Sequence, residues 1–330
     1  MRPLNYPRVW LLLSGIGITA NHTIVLALVL AAAFYTATAL LVGRTTVMEG
    51  LVCGVLLCSP PAMFAVERGN VDLLIFILLA VTAIVFASKA GVYWSYILVL
   101  LAAVLKLYPV CGFAIGLREC RRRGMLLLWL GLTAFALYAF CIRSDITHVI
   151  ANTPQIKEIS FGHRVLFEKL ASMKIAVPIE AASKIAVVAS VVLALVASRL
   201  LKPPELGSAK DIAMVIGAAI YAGTFVAMNN FNYRLIFLFF LLPQLFAWGT
   251  RRGPYRWVGR ALVVIITGAM LLASARYPKF FITKEVLNWI VFVFSVFILV
   301  GLTRKDTSAL PAPEVASDAL APGRSTNPGA

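Results

Sequence analysis

The most informative stretch of this chain is SPPAMFAVERGNVD, Ser59–Asp72. It separates two apolar runs, LVCGVLLC at 51–58 and LLIFILLAVTAIVF at 73–86, with two prolines followed by charged and amide side chains. Hydrocarbon tolerates such groups poorly, because it offers no water to satisfy them. Ionisable residues within membrane segments are functional-site candidates by default. The stretch therefore predicts a break between two membrane helices, with a polar site at the break.

Composition places the chain in the membrane class. Of its 330 residues 61% are hydrophobic and only 13% are charged, which exceeds the apolar share of an ordinary globular domain. The apolar runs are about 15 to 25 residues long and lack the alternation of barrel strands. We therefore expect an all-α, polytopic transmembrane helical bundle with about 10 membrane helices, some of them short or broken.

The formal net charge of +16 lies mostly in short loops, as the positive-inside rule requires of a membrane protein. We therefore expect the bilayer and not nucleic acid as a partner. The five cysteines form no C-x-x-C pair and no Cys/His cluster with metal-ligand spacing, so ordinary buried thiols are the simplest interpretation. The sequence predicts no metal ligands and no cofactor, and leaves a metal requirement open.

Basic residues also predict which segments share a side of the membrane. The most basic loop, RRGPYRWVGR at 251–260, is expected in the cytoplasm. The segments 143–183, 229–234 (NNFNYR) and 277–285 (YPKFFITKE) then become outer loops. Within the first of these, FGHRVLFEKLASMKIAVPI at 161–179 has the pattern of an amphipathic surface helix.

The same reasoning divides the chain into three parts. Residues 1–22 are predicted to form an outer-face loop or interfacial helix, and residues 23–305 the transmembrane helical domain with its outer loop 143–183. Residues 306–330 are rich in Ala, Pro and Ser, and predict a disordered cytoplasmic tail. No internal repeat is visible, which argues against a transporter built from inverted repeats.

A second polar interruption follows in VYWSYILVLLAAVLKLYPVCGFAIGLRECRRRG at 92–124, where Lys106, Tyr108 and Pro109 stand within apolar sequence. One uninterrupted helix would put the arginine cluster at its end on the outer side, against the positive-inside rule. A chain that turns back at Lys-Leu-Tyr-Pro keeps that cluster in the cytoplasm. We therefore expect a broken helix pair, with Lys106 close to the Glu67–Asp72 loop.

The unusual polar groups thus collect on one side of the membrane. Each taken alone fits an interfacial anchor, but together they predict a site. Arg68, Lys106 and Arg234 could converge on a phosphate, which at this depth implies a lipid phosphate. In the alternative, Glu67 or Asp72 pairs with these cations as a purely structural network.

Four motifs resemble those of polytopic glycosyltransferases of the C superfold, specifically the bacterial polyprenyl-phosphate-mannose-dependent α-mannosyltransferase-like group, glycosyltransferase family 87. The motifs are N-Y-P at Asn5–Pro7, E-R-G-N-V-D at Glu67–Asp72, A-A-V-L-K-L-Y-P at Ala102–Pro109 and N-Y-R-L-I-F at Asn232–Phe237. The resemblance implies a hexosyltransferase of the bacterial inner membrane with its active face outward. It would transfer a sugar from a polyprenyl-phosphate donor to a lipid or glycan acceptor, with inversion.

The resemblance also implies roles for individual residues. Arg68, Lys106 and Arg234 would hold the donor phosphate. The substrate pocket would contain Asn5, Tyr6, Asn70, Tyr108, Asn232 and Tyr233.

One part of the family pattern is not found in this sequence. The family's usual general base is an aspartate in a first outer loop that precedes N-Y-P, whereas here Asn5–Pro7 follows directly on MRPL. Three hypotheses stay open: a start further upstream, a non-catalytic relative, or another carboxylate as the base. Glu67 and Asp72 are the catalytic candidates that remain. Outside this family, a transporter or flippase of a lipid or lipid-linked sugar and a non-catalytic membrane protein are the alternatives.

Overall fold

The structure is a computed structural model that describes residues 7–17, 19–86, 88, 91–118, 122–152, 159–201, 209–227, 230–275 and 277–302. The α-helices in these ranges are α1 Thr23–Val42, α2 Val47–Leu57, α3 Pro60–Glu67, α4 Val71–Val85, α5 Gly91–Leu105, α6 Ile115–Arg118, α7 Arg122–Cys141, α8 Arg143–Asn152, α9 Val165–Ser172, α10 Ile179–Leu200, α11 Ala209–Ala227, α12 Leu242–Thr250, α13 Arg256–Leu271 and α14 Pro278–Leu302. The 3₁₀ helices are Arg8–Ile16, Ala20–His22, Tyr108–Ala114, Asn232–Phe240 and Leu272–Ser274. Two short strands, β1 Ser160–Phe161 and β2 Asn230–Phe231, pair antiparallel.

The predicted all-α class is confirmed. Among the described residues, six helices are long and apolar enough to cross a membrane, and the number rises to eight if each of two bent pairs is one span. The shorter apolar helices α4 and α5 fall outside this number. The count of about ten membrane helices stays a prediction.

The break predicted at the two prolines is present. Helix α2 ends at Leu57, and α3 begins at Pro60 and Pro61, where proline is tolerated because the first helical N–H groups have no intrahelical partner. The axes of α2 and α3 differ by 53°. The Ser59–Asp72 stretch is therefore a short helix set at an angle, followed by a tight turn.

That turn follows from local chemistry. Gly69 adopts a left-handed φ of 51°, which glycine accepts without steric cost, and its N–H donates to the Val66 carbonyl at 2.9 Å. Asn70 then caps α4, because its side-chain oxygen accepts from the Asp72 N–H at 3.0 Å. Asp72 consequently lies in the first turn of α4, where the helix dipole favours a negative charge.

The second interruption is also present. Helix α5 ends at Leu105, and the chain continues as a 3₁₀ helix that contains Pro109. This 3₁₀ helix folds back on α5, since a Cβ at Gly112 would lie only 3.3 Å from Cγ1 of Val99. The turn therefore falls at Lys106, as predicted from the arginine cluster that follows.

The core is built around α11 and the 3₁₀ helix Asn232–Phe240. Helix α11 is almost wholly buried and packs against α4, α14 and the 3₁₀ helices Tyr108–Ala114 and Asn232–Phe240. Aromatic rings from α1, α4 and the 3₁₀ helix interlock, with Phe76 4.9 Å from both Phe34 and Phe240 between ring centroids. This packing holds the polar residues at the start of the 3₁₀ helix in a defined position.

The 143–183 segment, predicted as an outer loop with one amphipathic helix, contains α8, β1, α9 and the first turn of α10. Helix α9 lies inside the predicted helical stretch but covers only Val165–Ser172. The pairing of β1 with β2 was not predicted.

His163, after β1, has its Nδ1 3.3 Å from the Phe225 carbonyl, and burial lowers its pKa below the usual value. The predicted tail 306–330 lies outside the described residues.

Close packing of α11 leads to a stability prediction. A Cβ at Gly217 would lie 2.7 Å from Cβ of Phe240 and 3.2 Å from the Phe237 carbonyl oxygen, too close for either to remain in place. Gly217→Ala should therefore lower the free energy of unfolding by about 1–3 kcal/mol through overpacking. Thermal unfolding in detergent measures this loss.

Gly54→Ala is the matched control, because no described atom lies within 4 Å of a Cβ at that position on α2. It should cost little or nothing. Equal losses in the two variants would contradict the close approach of α11 to the 3₁₀ helix.

Candidate functional site

The candidate site is centred on Asp72, which is fully buried in the first turn of α4. Its Oδ1 accepts a hydrogen bond from the Tyr108 hydroxyl at 2.6 Å and lies 2.8 Å from Nζ of Lys106. Both partners come from the break after α5. A buried carboxylate requires such partners, because an isolated charge in an apolar interior is strongly disfavoured.

Arg234 completes the group from the 3₁₀ helix Asn232–Phe240. Its Nε lies 3.8 Å from Oδ2 of Asp72, and its guanidinium carbon stands 4.6 Å from the centroid of the Tyr108 ring. A second nitrogen, Nη1, donates to the side-chain oxygen of Asn230. We refer to Asp72, Lys106, Tyr108 and Arg234 as the Asp72 cluster.

The Asp72 cluster carries two cations against one carboxylate, a formal net charge of one positive unit. Within the described part of the chain, Oδ2 of Asp72 accepts no hydrogen bond. Arg234 is the component that reaches the surface, since 20% of its side chain is exposed whereas that of Asp72 is completely buried. An anion that approached from the side of Arg234 would meet its guanidinium in a setting of low dielectric.

Aromatic rings border the cluster. Nζ of Lys106 lies 5.7 Å from the centroid of the Tyr233 ring, within the range of a cation–π contact. The Tyr233 ring stacks on Phe231 at 5.5 Å and lies 5.8 Å from Phe64 on α3. Phe64 also lines a cavity, so these rings connect the Asp72 cluster to that cavity.

This cavity is half-open, and its volume is about 300 Å³. It is lined by Pro60, Pro61, Met63, Phe64, Glu67, Ile159, Asn232 and Ser274. Its walls are mainly apolar, and Glu67 is its one carboxylate among the lining residues. The amide nitrogen of Asn232 donates to the Ala273 carbonyl. The cavity thus joins an apolar surface to an exposed carboxylate.

The residues predicted from sequence occupy different positions around this site. Asp72, Lys106, Tyr108 and Arg234 are in direct contact, whereas Glu67 and Asn232 line the cavity. Asn70 serves as the cap of α4, and Tyr233 belongs to the aromatic border. Arg68 is exposed, with its guanidinium carbon 4.2 Å from the centroid of the Phe64 ring. Asn5 and Tyr6 lie outside the described residues.

Ile159 and Ser274 enter the cavity from segments that carry no local signal of a site. Outside the site, the predicted loop at 277–285 is wrong, because Lys284 and Glu285 are completely buried within α14. An adjacent Lys-Glu pair at the end of an apolar run looks like a solvated helix end, and only the packing shows otherwise.

Among the residues that the structure describes, no group of three or more His, Cys, Asp or Glu side chains could hold a metal ion. Comparison with protein families, curated proteins and solved structures finds no match to this chain.

The buried Asp72–Lys106 pair predicts strong coupling. Asp72→Asn or Lys106→Met alone leaves the partner charge buried and uncompensated, which should cost about 3–5 kcal/mol. The double variant removes both charges, so its loss should fall below the sum of the single losses by about 1–3 kcal/mol. Thermal or denaturant unfolding in detergent measures the free energy of unfolding of the parent, the two single variants and the double variant.

Glu180 and Lys184 provide the control cycle, because their Nζ to Oε1 distance is also 2.8 Å while both side chains are well exposed. An exposed pair contributes only about 0–1 kcal/mol. Additive losses for Asp72→Asn and Lys106→Met would contradict the ion pair.

Proposed function

We propose that this chain is a membrane glycosyltransferase that transfers a hexose from a polyprenyl-phosphate donor to a hydroxyl of a lipid or glycan acceptor. Mannose is the sugar that the family resemblance implies, and glycosyltransferase-C-like is the fold. The outer face of a bacterial plasma membrane is the proposed place of the reaction, as the distribution of basic loops favours.

The observation that carries this proposal is the convergence of Lys106 and Arg234 on the buried Asp72. Nζ of Lys106 lies 2.8 Å from Oδ1 of Asp72, and Nε of the partly exposed Arg234 lies 3.8 Å from Oδ2. Arg234 can present a planar fork to phosphate oxygens, and Lys106 adds a point charge behind it. A phosphate monoanion or diester is an anion that suits this pair of groups.

The proposed reaction is a single displacement at the anomeric carbon of the donor. Glu67 accepts the proton of the acceptor hydroxyl, whose oxygen forms the new bond to the anomeric carbon. The bond between that carbon and the phosphate oxygen breaks, and its electron pair leaves with the polyprenyl phosphate. Arg234 and Lys106 stabilise the charge that develops on the departing phosphate.

Glu67 is favoured as the base because it is exposed in the cavity, where an acceptor can reach it. Asp72 is buried and occupied by Lys106 and Tyr108, which suits it to orient the cations. The apolar walls of the cavity suit an acceptor hydroxyl that is attached to a lipid. Arg68 stands near the cavity on Phe64 and could guide an anionic donor toward the site.

A specific observation favours a lipid transporter as the second candidate. Two helix pairs are broken, α2 with α3 by 53° and Asn232–Phe240 with α12 by 48°, and α3 packs against the 3₁₀ helix of the second pair. Broken helices around a substrate site are typical of secondary transporters. Movement of a fluorescent polyprenyl phosphate across proteoliposomes, without transfer of sugar, would support this candidate over the transferase.

Transfer of label tests the main proposal. Membranes that contain the parental chain should transfer labelled mannose from polyprenyl-phosphate-mannose to lipid extract, and Arg234→Gln should lower the rate about 10²- to 10³-fold through loss of phosphate stabilisation. Lys184→Gln is the control, since it removes an exposed cation of the 179–200 helix. No product with the parental chain would contradict the transferase, and a parental rate in Arg234→Gln would contradict the phosphate site.

The role of Glu67 has its own test. Glu67→Gln keeps the size and hydrogen bonding of the side chain but cannot accept a proton, so kcat should fall about 10²- to 10⁴-fold with little change in KM. Steady-state kinetics with purified protein in detergent measures both constants. Glu180→Gln, at an exposed carboxylate away from the cavity, should retain the parental kcat. An unchanged kcat in Glu67→Gln would assign the base to another group.

A further inference from the structure

A second ion pair lies deep in the structure, apart from the Asp72 cluster. Lys284 and Glu285, adjacent on α14, are both completely buried, and Nζ of Lys284 lies 2.9 Å from Oε1 of Glu285. The same nitrogen donates to the backbone carbonyl of Ser160 at 3.1 Å. Burial of two charges is costly, and often less favourable than apolar residues of the same volume. Such a pair therefore points to a role other than stability.

Neighbouring contacts hold Lys284 toward the strand. Its Nζ stands 4.2 Å from the centroid of the Phe281 ring, one turn earlier on α14. The Phe161 ring of β1 stacks on Tyr221 at 5.7 Å, and the Tyr221 hydroxyl donates to the Asn288 carbonyl at 3.0 Å. Strand β1 is thus attached to α14 both directly, through Lys284, and through α11.

From β1 the contacts continue to the Asp72 cluster. Ser160 pairs with Phe231 of β2, and the N–H of Asn232 donates to the Ile159 carbonyl at 2.8 Å. Asn230, also in β2, accepts a hydrogen bond from Arg234 through its side-chain oxygen. One continuous series of contacts therefore joins a lysine on α14 to the arginine that faces Asp72.

We propose that Lys284 is a positioning residue for Arg234. It holds the Ser160 carbonyl, and thereby β1 and β2, so that Asn230 keeps the Arg234 guanidinium directed at Asp72. Glu285 supplies the counter-charge that lets the lysine remain buried. This inference rests on the proposed function, because the donor phosphate is what a correctly placed Arg234 would bind.

Hydrogen exchange tests the attachment without any reaction. Lys284→Met combined with Glu285→Gln removes the donor without leaving a buried charge. Exchange of the 159–163 and 230–234 backbone amides should become at least about tenfold faster in this variant, because these strands lose their anchor. Ser295→Ala is the control: it removes a buried hydroxyl of α14 whose hydrogen bond stays within the helix. Unchanged exchange in the double variant would overturn the attachment.

Transfer kinetics then tests positioning as distinct from stability. The double variant keeps every charge of the Asp72 cluster but releases Arg234, so kcat/KM for the polyprenyl-phosphate donor should fall about tenfold. Lys284→Arg retains a donor and should recover part of the loss, which a general loss of stability would not allow. A kcat/KM equal to that of the parent would overturn the proposal.

Asn230→Leu removes the side-chain oxygen that accepts from Arg234 and leaves Lys284 unchanged. It should lower kcat/KM similarly without faster exchange at 159–163, and an unchanged kcat/KM would again overturn positioning. If Arg234→Gln itself leaves transfer unchanged, the proposed function fails. The exchange experiment still decides whether Lys284 anchors the strands, so the two failures are distinguishable.

Discussion

A carboxylate that is completely buried in an apolar helical bundle must be paired, and Asp72 is paired with groups from two distant segments. Lys106 and Tyr108 approach it from the break after α5, and Arg234 approaches from the 3₁₀ helix Asn232–Phe240. Loss of any partner leaves charge in a low dielectric, which costs several kcal/mol. The burial of one side chain therefore constrains where α4, α5 and the 3₁₀ helix can lie relative to one another.

The same constraint explains why the polar groups collect at breaks in helices. A helix end in apolar surroundings exposes backbone groups that need partners, and residues at that end can supply them. Gly69 and Asn70 supply such hydrogen bonds between α3 and α4, and Asp72 lies directly after them in the first turn of α4. A charged cluster can form at such a position without interrupting the hydrogen bonds of a long helix. Two cations meet at this position, and Arg234 is partly exposed, which is the physical basis for proposing a lipid phosphate as ligand.

Several parts of this arrangement could be predicted from the sequence because they depend on short stretches. Proline at 60 and 61 cannot continue α2, and Lys106 before Tyr-Pro marks a turn that the positive-inside rule also requires. The contact of Lys106 with the Glu67–Asp72 loop follows from these two turns. The sequence predicts a loop at Lys284 and Glu285, because charges beside an apolar run are normally exposed. This prediction is wrong, since both residues are buried within α14. The pairing of β1 with β2 has no local signal, since each strand contains only two residues.

The sequence alone establishes an apolar, helical chain with two polar interruptions, since proline geometry and backbone hydrogen bonding act within a few residues. Tertiary packing determines which charged groups come into contact. Lys284 and the Ser160 carbonyl are 124 positions apart in the chain. Arg234 reaches Asp72 only because α11 and the aromatic core bring their segments together. Four polar residues of the Ser59–Asp72 stretch thereby lie in different surroundings. Glu67 faces a cavity, Arg68 lies on Phe64, Asn70 caps a helix and Asp72 holds two cations. Their order in the chain is local information, whereas their environments are a property of the tertiary structure.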